Sequence, residues 1–296
     1  MASTPLTTQV SALLDESGVR EGSVHHAESG MFFLRHNDAT AQVAAVYQPL
    51  LCLVLQGAKE VGTSTRTLTV SNGQSLLVSH SLPVTSRITI ASHNCPYIAL
   101  VLPLDLELLR ELAPNAPLRS AGALQDPFSI SLYPADEDLE KALTRYIEQC
   151  EEEASRTVLA PITLQEIHAR LLMGPHGDQL QKLLWHETTA SRVFQATQHI
   201  QANLSTAIAI ADLAKRAGMS NSAFFEHFKS ITGTSPLQYQ KDLRLLRARD
   251  ALRSSNNKVS EVAFSVGYDS PAQFSREYAR KFGISPKQDR ATASAA

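Results

Sequence analysis

The feature that most constrains this chain is a pattern written twice between Ile208 and Pro286. The first copy reads Asp212-Leu213-Ala214-Lys215-Arg216-Ala217-Gly218-Met219-Ser220, then Phe224, Phe228-Lys229, Thr232-Gly233 and Ser235-Pro236. The second reads Glu261-Val262-Ala263-Phe264-Ser265-Val266-Gly267-Tyr268-Asp269, then Phe274, Tyr278, Phe282-Gly283 and Ser285-Pro286. Phe224 and Phe274, Gly233 and Gly283, and Pro236 and Pro286 are each 50 residues apart, whereas Gly218 and Gly267 are 49 apart. The one-residue difference falls in the turn, where an insertion is tolerated. A period of this length marks a duplicated supersecondary unit.

Each copy spells a helix, a sharp turn and a second helix. Ile210, Leu213, Ala214 and Ala217 make an i, i+3, i+4, i+7 stripe, and Val259, Val262, Ala263 and Val266 repeat it. Gly218 and Gly267 then end the first helices in the left-handed conformation that Gly adopts cheaply. Phe224, Phe228 and Ile231 share one face of the next helix, as do Phe274 and Tyr278 in the second copy. Ser270 is the expected N-cap there, Pro271 the first helical residue and Gln273 the partner in a capping box. Ala214 and Ala263 allow the close crossing that a helix-turn-helix needs. The helix-turn-helix units therefore span 208–232 and 259–282.

These residues, with Ser270-Pro271-Ala272-Gln273-Phe274-Ser275-Arg276-Glu277-Tyr278 and Phe282-Gly283-Ile284-Ser285-Pro286, resemble the DNA-binding domain of AraC/XylS-type transcriptional regulators. The duplication separates this reading from a generic all-α interaction domain. Charge agrees with it. The net charge of −2 hides a basic segment, Ser191 to Ala296, with 15 Lys/Arg against 8 Asp/Glu. The rest of the chain is acidic, a contrast that suits a nucleic-acid binder carrying a separate regulatory part.

At 296 residues, two domains are the natural expectation. From Met31 the chain becomes strand-like, with candidates at Met31–Arg35, Val43–Tyr47, Leu51–Gln56, Arg66–Val70, Ser75–Ser79, Arg87–Ile90 and Tyr97–Leu102. They are short, rich in Val, Ile, Leu and Thr, and separated by turn signals, which points to a β-sandwich or barrel. After Pro103 helices follow, among them Asp136–Glu153, with Leu139, Leu143, Tyr146, Ile147 and Cys150 on one face. That stripe can pack on its own sheet or against a second subunit. Gly174-Pro175-His176-Gly177 breaks the pattern, and Asp178–Trp185 leads into the basic segment. Helix Pro236–Arg253 joins the two motifs, with Lys241, Arg244, Arg247 and Arg249 on its outer side. The tail after Arg290 is expected to be disordered.

Tyr47-Gln48-Pro49, Leu51-Cys52-Leu53-Val54-Leu55-Gln56-Gly57-Ala58-Lys59, Leu82-Pro83-Val84-Thr85 and Leu171-Leu172-Met173-Gly174-Pro175 resemble the N-terminal domain of one AraC-type branch. The resemblance implies an α+β chain. On that resemblance residues 1–185 are expected to form a cupin-like β-barrel with dimerising helices, and residues 186–296 an all-α DNA-binding domain with two helix-turn-helix motifs. Double-stranded DNA is the implied partner, with a small-molecule effector, a homodimer, and RNA polymerase if the output is activation. A regulator whose N-terminal domain only dimerises is the alternative within this class.

A barrel also raises the metal-dependent cupin enzyme, which needs closely spaced His and carboxylate ligands. The candidates His25, His26, His36, His80 and His93 form no His-x-His followed by Glu on a strand. No Gly-rich phosphate loop or nucleophile elbow is present either. No enzyme activity, cofactor or metal is expected. Cys52, Cys95 and Cys150 are few, odd in number and widely spaced, which reads as a reduced, cytoplasmic compartment. Cys95, before Pro96 and near His93, is read as buried or inert, Cys52 as packed, and Cys150 as interface or core. No apolar run approaches a membrane span, and Met1 to Val10 lacks the features of a signal peptide.

On a helical wheel, the face opposite Phe224, Phe228 and Ile231 carries Ser222, Glu226, Lys229 and Ser230. The same construction on Phe274 and Tyr278 exposes Ala272, Gln273, Arg276, Ala279 and Arg280. Ser222, Glu226, Lys229, Ala272, Gln273, Arg276 and Arg280 are the expected DNA-binding residues. The offset of 50 pairs Glu226 with Arg276. The resemblance implies a basic residue where Glu226 stands, so this position departs from the pattern.

Overall fold

In a computed structural model the chain is described over residues 4–117, 129–184, 188–254 and 257–293. It divides into two compact units, one of Met1–Val43 with Tyr47–Ser191, the other of Ala44–Val46 with Arg192–Ala296. The boundary expected between residues 185 and 186, and Trp185 itself, lie outside the described residues.

In chain order the elements are α1 (Pro5–Glu16), β1 (Gly22–His26), β2 (Met31–His36), β3 (Val43–Tyr47), β4 (Leu50–Gln56), β5 (Ala58–Gly62), β6 (Thr67–Ser71), β7 (Gln74–Val78), β8 (Leu82–Ile90), β9 (Tyr97–Pro103) and α2 (Leu106–Leu112). After a 3-10 turn at Ala113–Asn115 come β10 (Ile130–Pro134), α3 (Glu137–Glu151), α4 (Glu153–Val158), α5 (Ala160–Met173) and α6 (Gly177–Leu184). The strands form a six-stranded sheet in the order β1-β2-β9-β4-β7-β10 and a four-stranded sheet in the order β3-β8-β5-β6. Among the described residues the β-rich half is thus an open pair of sheets, not one closed barrel. The sequence reading omitted β1, β5 and β10.

Strand β4 is buried over Leu51–Leu55 because both of its faces are covered. Leu51, Leu53 and Leu55 join one core with Leu6, Val10 and Leu14 of α1 and with Leu143 and Ile147 of α3. Cys52 and Val54 occupy the opposite face. The turn from β4 to β5 needs Gly57, whose φ is +78° and where a methyl group would sit 2.4 Å from the Ile90 carbonyl oxygen. Helix α3 is capped by Asp136, whose carboxylate accepts from the Leu139 amide at 2.9 Å. Its apolar stripe, Cys150 included, is spent inside its own unit. Val158, Leu159 and Ile162, around the junction of α4 and α5, are left exposed.

From Thr189 onward the described chain is helical: α7 (Thr189–Ala202), α8 (Ile210–Arg216), α9 (Asn221–Thr232), α10 (Pro236–Ser254), α11 (Val259–Ser265), α12 (Pro271–Phe282) and α13 (Pro286–Ala293). Helix α13 replaces the disorder expected after Arg290, while residues 294–296 lie outside the described residues.

Candidate nucleic-acid interface

The duplication in the sequence is a duplication of hydrogen bonds. Helix α8 closes with the Met219 amide donating to the Ala214 carbonyl at 2.9 Å and Gly218 to Lys215 at 3.1 Å. Helix α11 closes with Tyr268 donating to Ala263 at 3.0 Å and Gly267 to Phe264 at 3.0 Å. Both turns use a left-handed glycine, with φ +63° at Gly218 and +89° at Gly267. Ser220 and Ser270 then cap α9 and α12, their hydroxyls accepting from the amides of Ala223 and Gln273. The Gln273 side chain reaches Glu277, at 3.4 Å. It therefore does not complete the expected capping box.

Each second helix is pinned by its aromatics. Phe224 and Phe228 are buried, their rings 5.6 Å apart, and Phe228 meets Tyr239 of α10 edge-on at 5.4 Å. Tyr268, Phe274 and Tyr278 repeat the stack at 5.3 and 5.4 Å. Burying this face fixes which face points outward. The outward face of α9 carries Ser222, Glu226 and Lys229, and that of α12 carries Ala272, Gln273, Arg276 and Arg280, all exposed. Ser230 and Ala279 are only half-exposed. Among the described residues, Glu226, Lys229, Arg276 and Arg280 have no side-chain hydrogen bond or ion pair, so their charges are not spent within the fold.

The wheel missed Phe225. It is 43% exposed beside Glu226, a large apolar group on an otherwise polar face. A signal was available, because Phe224, Phe225 and Phe228 cannot all share one side of a helix.

The outer side of α10 is less basic than expected. Arg244 donates to the carbonyls of Leu204 at 2.7 Å, Thr206 at 3.1 Å and Gly267 at 2.9 Å, which staples the loop before α8 to the second turn. Lys241 is held by Glu277, at 2.9 Å. Arg249 pairs with Asp289 at 2.9 Å and lies over the Phe282 ring. Arg247 stays exposed. Asp289 is fully buried and also takes Arg253 and the Tyr278 hydroxyl, both at 2.8 Å, so α13 completes the second motif.

The other chemistry-bearing residues are dispersed. His26 pairs with Glu151 and His36 with Glu21, each at 2.8 Å. His25 and His93 are exposed. His80 is buried between Ser79 and the Ala190 carbonyl, and that burial pushes its pKa down to about 4. Among the described residues no three His, Cys, Asp or Glu side chains are grouped to hold a metal ion. Cys95 is exposed, which removes the buried alternative of the sequence reading. Among the described residues, no helix is long and apolar enough to cross a membrane.

Residues 28–179 match the family described as the AraC-type transcriptional regulator N-terminus. The chain belongs to the AraC-type transcriptional regulators. Residues 213–292 of this AraC-type chain also match a helix-turn-helix domain family, over the two motifs described above. It is 32% identical over 104 residues to the transcriptional activator RhaS of Escherichia fergusonii, covering 35% of this chain and 37% of that protein. It is 37% identical over 91 residues to the raffinose operon regulatory protein RafR of Pediococcus pentosaceus, covering 31% and 33%. The chain thus spans about a third of the length of these curated relatives. Over 88% of its length it is similar in fold to ToxT of Vibrio cholerae with an unsaturated fatty acid bound, covering 93% of that chain with a TM-score of 0.57 at 10% identity.

Proposed function

We propose that the chain is a cytoplasmic, sequence-specific regulator of transcription that reads double-stranded DNA with α9 and α12. The observation that carries this is the pair of capped helices whose aromatic faces are buried and whose opposite faces hold unspent polar and charged groups. Two such helices can enter successive major grooves on one side of a duplex, with α10 setting their separation. Exposed Lys and Arg contact phosphates, and Ser222, Glu226, Lys229, Ala272, Gln273, Arg276 and Arg280 face the bases or the adjoining backbone.

Residues 186–296 are the DNA-reading domain in this account, and residues 1–185 the regulatory one. Val158, Leu159 and Ile162, exposed together, favour a homodimer formed through the first unit, because grouped exposed apolar side chains mark interaction surfaces. A small-molecule effector is supported by family membership and by the fatty acid in the ToxT structure. RNA polymerase is a further partner if the output is activation. The direct test is fluorescence anisotropy with labelled duplex at low salt. Saturable binding that duplex competitor reverses is the expected result, and no binding at micromolar protein would contradict the proposal. A thermal-shift screen separates an effector-binding unit from one that only dimerises, since a ligand bound to the native state raises Tm.

A further inference from the structure

Reading DNA leaves one cluster in the first unit without a role. Lys59 of β5 is 4% exposed, and its Nζ lies 3.1 Å from Sγ of Cys52 on β4 and 5.5 Å from the centre of the Tyr47 ring. Cys52 is 1% exposed. The buried Tyr97 hydroxyl nearby makes no hydrogen bond of normal geometry. Among the described residues no carboxylate pairs with Lys59. Strand β4 belongs to the six-stranded sheet and β5 to the four-stranded one, so the contact ties the two sheets together.

An ammonium buried without a carboxylate is costly. The Cys52 sulfur, 3.1 Å away, is its hydrogen-bond partner. The thiolate is the form of a cysteine that reacts with oxidants. Cys150 cannot serve as a resolving thiol, because it packs with the helices on the other face of the six-stranded sheet. Cys95 is exposed on a loop. The Lys59 amine is the nucleophile within reach of Cys52.

We propose that Cys52 and Lys59 form a peroxide-sensitive modification site that closes into a covalent sulfur–nitrogen link between the two sheets. The thiolate sulfur attacks one oxygen of hydrogen peroxide and the O–O bond breaks. The departing hydroxide takes a proton from the Lys59 ammonium and leaves as water. Cys52 is then a sulfenic acid beside a neutral amine. The amine lone pair attacks sulfur, the S–O bond breaks, and hydroxide leaves with an amine proton as a second water. Sulfur is oxidised by two electrons and one peroxide is reduced to two waters. Condensation of a sulfenic acid with nitrogen is known chemistry for a thiol that lacks a partner thiol.

The test exposes the full chain to hydrogen peroxide, alkylates the remaining thiols in denaturant and digests with trypsin. A linked Lys59 is no longer cleaved. The expected product is the peptide of residues 36–66, unalkylated at Cys52 and lighter by about 2 Da, a change that excess thiol reductant reverses. Exposed Cys95 reports whether the oxidant acted. Normal alkylation of Cys52 with cleavage after Lys59, in protein oxidised at Cys95, overturns the proposal, as does any other mass for the Cys52 product. Lys59→Arg keeps the cation but removes the amine, and should leave a Cys52 sulfenic acid that dimedone traps. A link of wild-type mass in Lys59→Arg would assign the nucleophile elsewhere and overturn the pairing.

Discussion

At the scale of single residues, the two readers are unlike. Glu226 and Arg276 stand at equivalent places in the repeat, both exposed, yet opposite in charge. Phosphate repels Glu226, but its carboxylate can accept from cytosine N4, whereas Arg276 can bind guanine O6 and N7 together. Arg276→Ala should therefore cost about 1–3 kcal/mol on a selected site and relax the preference at one or two base pairs. Glu226→Ala should leave non-specific binding unchanged or stronger while loosening any cytosine preference. Both are measured against a randomised duplex library, and an unchanged preference in Arg276→Ala would remove α12 from the groove. Phe225 offers an exposed apolar ring beside Glu226, and a group of that kind can pack on the thymine methyl group. Replacing thymine with deoxyuridine in the selected site should weaken wild-type binding by about 1 kcal/mol or less, near the value of one buried methyl group, and leave Phe225→Ala unaffected. Equal losses in both proteins would place Phe225 off the bases.

At the scale of elements, the glycines that end α11 and α12 are held to different tolerances. A methyl group at Gly267 would meet the Ser205 carbonyl oxygen at 2.2 Å, whereas at Gly283 it would meet nothing within 4 Å. Both glycines have positive φ, so Gly283→Ala should cost about 1 kcal/mol from backbone conformation alone. Gly267→Ala should cost about 3 kcal/mol or more, because the backbone must also shift. Urea unfolding of both variants checks the order. The contact of α13 gives a pH signature. Burial works to raise the Asp289 pKa, but the Tyr278 hydroxyl and the Arg253 and Arg249 guanidiniums outweigh it and hold the carboxyl below its usual range. A lowered folded pKa means stability that is present above about pH 4 and lost as pH falls through the folded value. Asp289→Asn should lower Tm at neutral pH and remove that part of the acid dependence, and a parallel acid profile would contradict the assignment. The helix-turn-helix units were legible because turn glycines, capping serines and spaced aromatics are local signals. Helix α13 was legible in principle, since Ser285-Pro286 repeats Ser235-Pro236, and both serines accept from the amide three residues on. The roles of Arg244 and Arg249 were not legible, because their partners lie 40 residues away in sequence. The continuous burial of β4 was not legible either, because the helices on one face and the second sheet on the other come from distant parts of the chain.

At the scale of the whole molecule, charge is divided as function would divide it. The segment from Ser191 onward holds 15 Lys/Arg against 8 Asp/Glu, while the remainder is acidic. A fragment of residues 186–296 should fold as a helical domain and bind DNA more weakly than the full chain, because the avidity of a dimer is lost. An unfolded fragment by circular dichroism would contradict this division. Counterion release by several phosphate contacts should give log affinity a slope of roughly −4 to −8 against log salt concentration. A flat slope in a titration from low to moderate salt would mean that the basic face does not meet the backbone. The most direct measurement is selection of bound duplexes from a randomised library by the full-length protein, followed by sequencing. Two recognition helices on one side of the duplex should enrich two short clusters of fixed bases with centres about 10 base pairs apart, one helical turn. Enrichment of a single cluster, or of none, would contradict the claim that both copies of the motif read DNA.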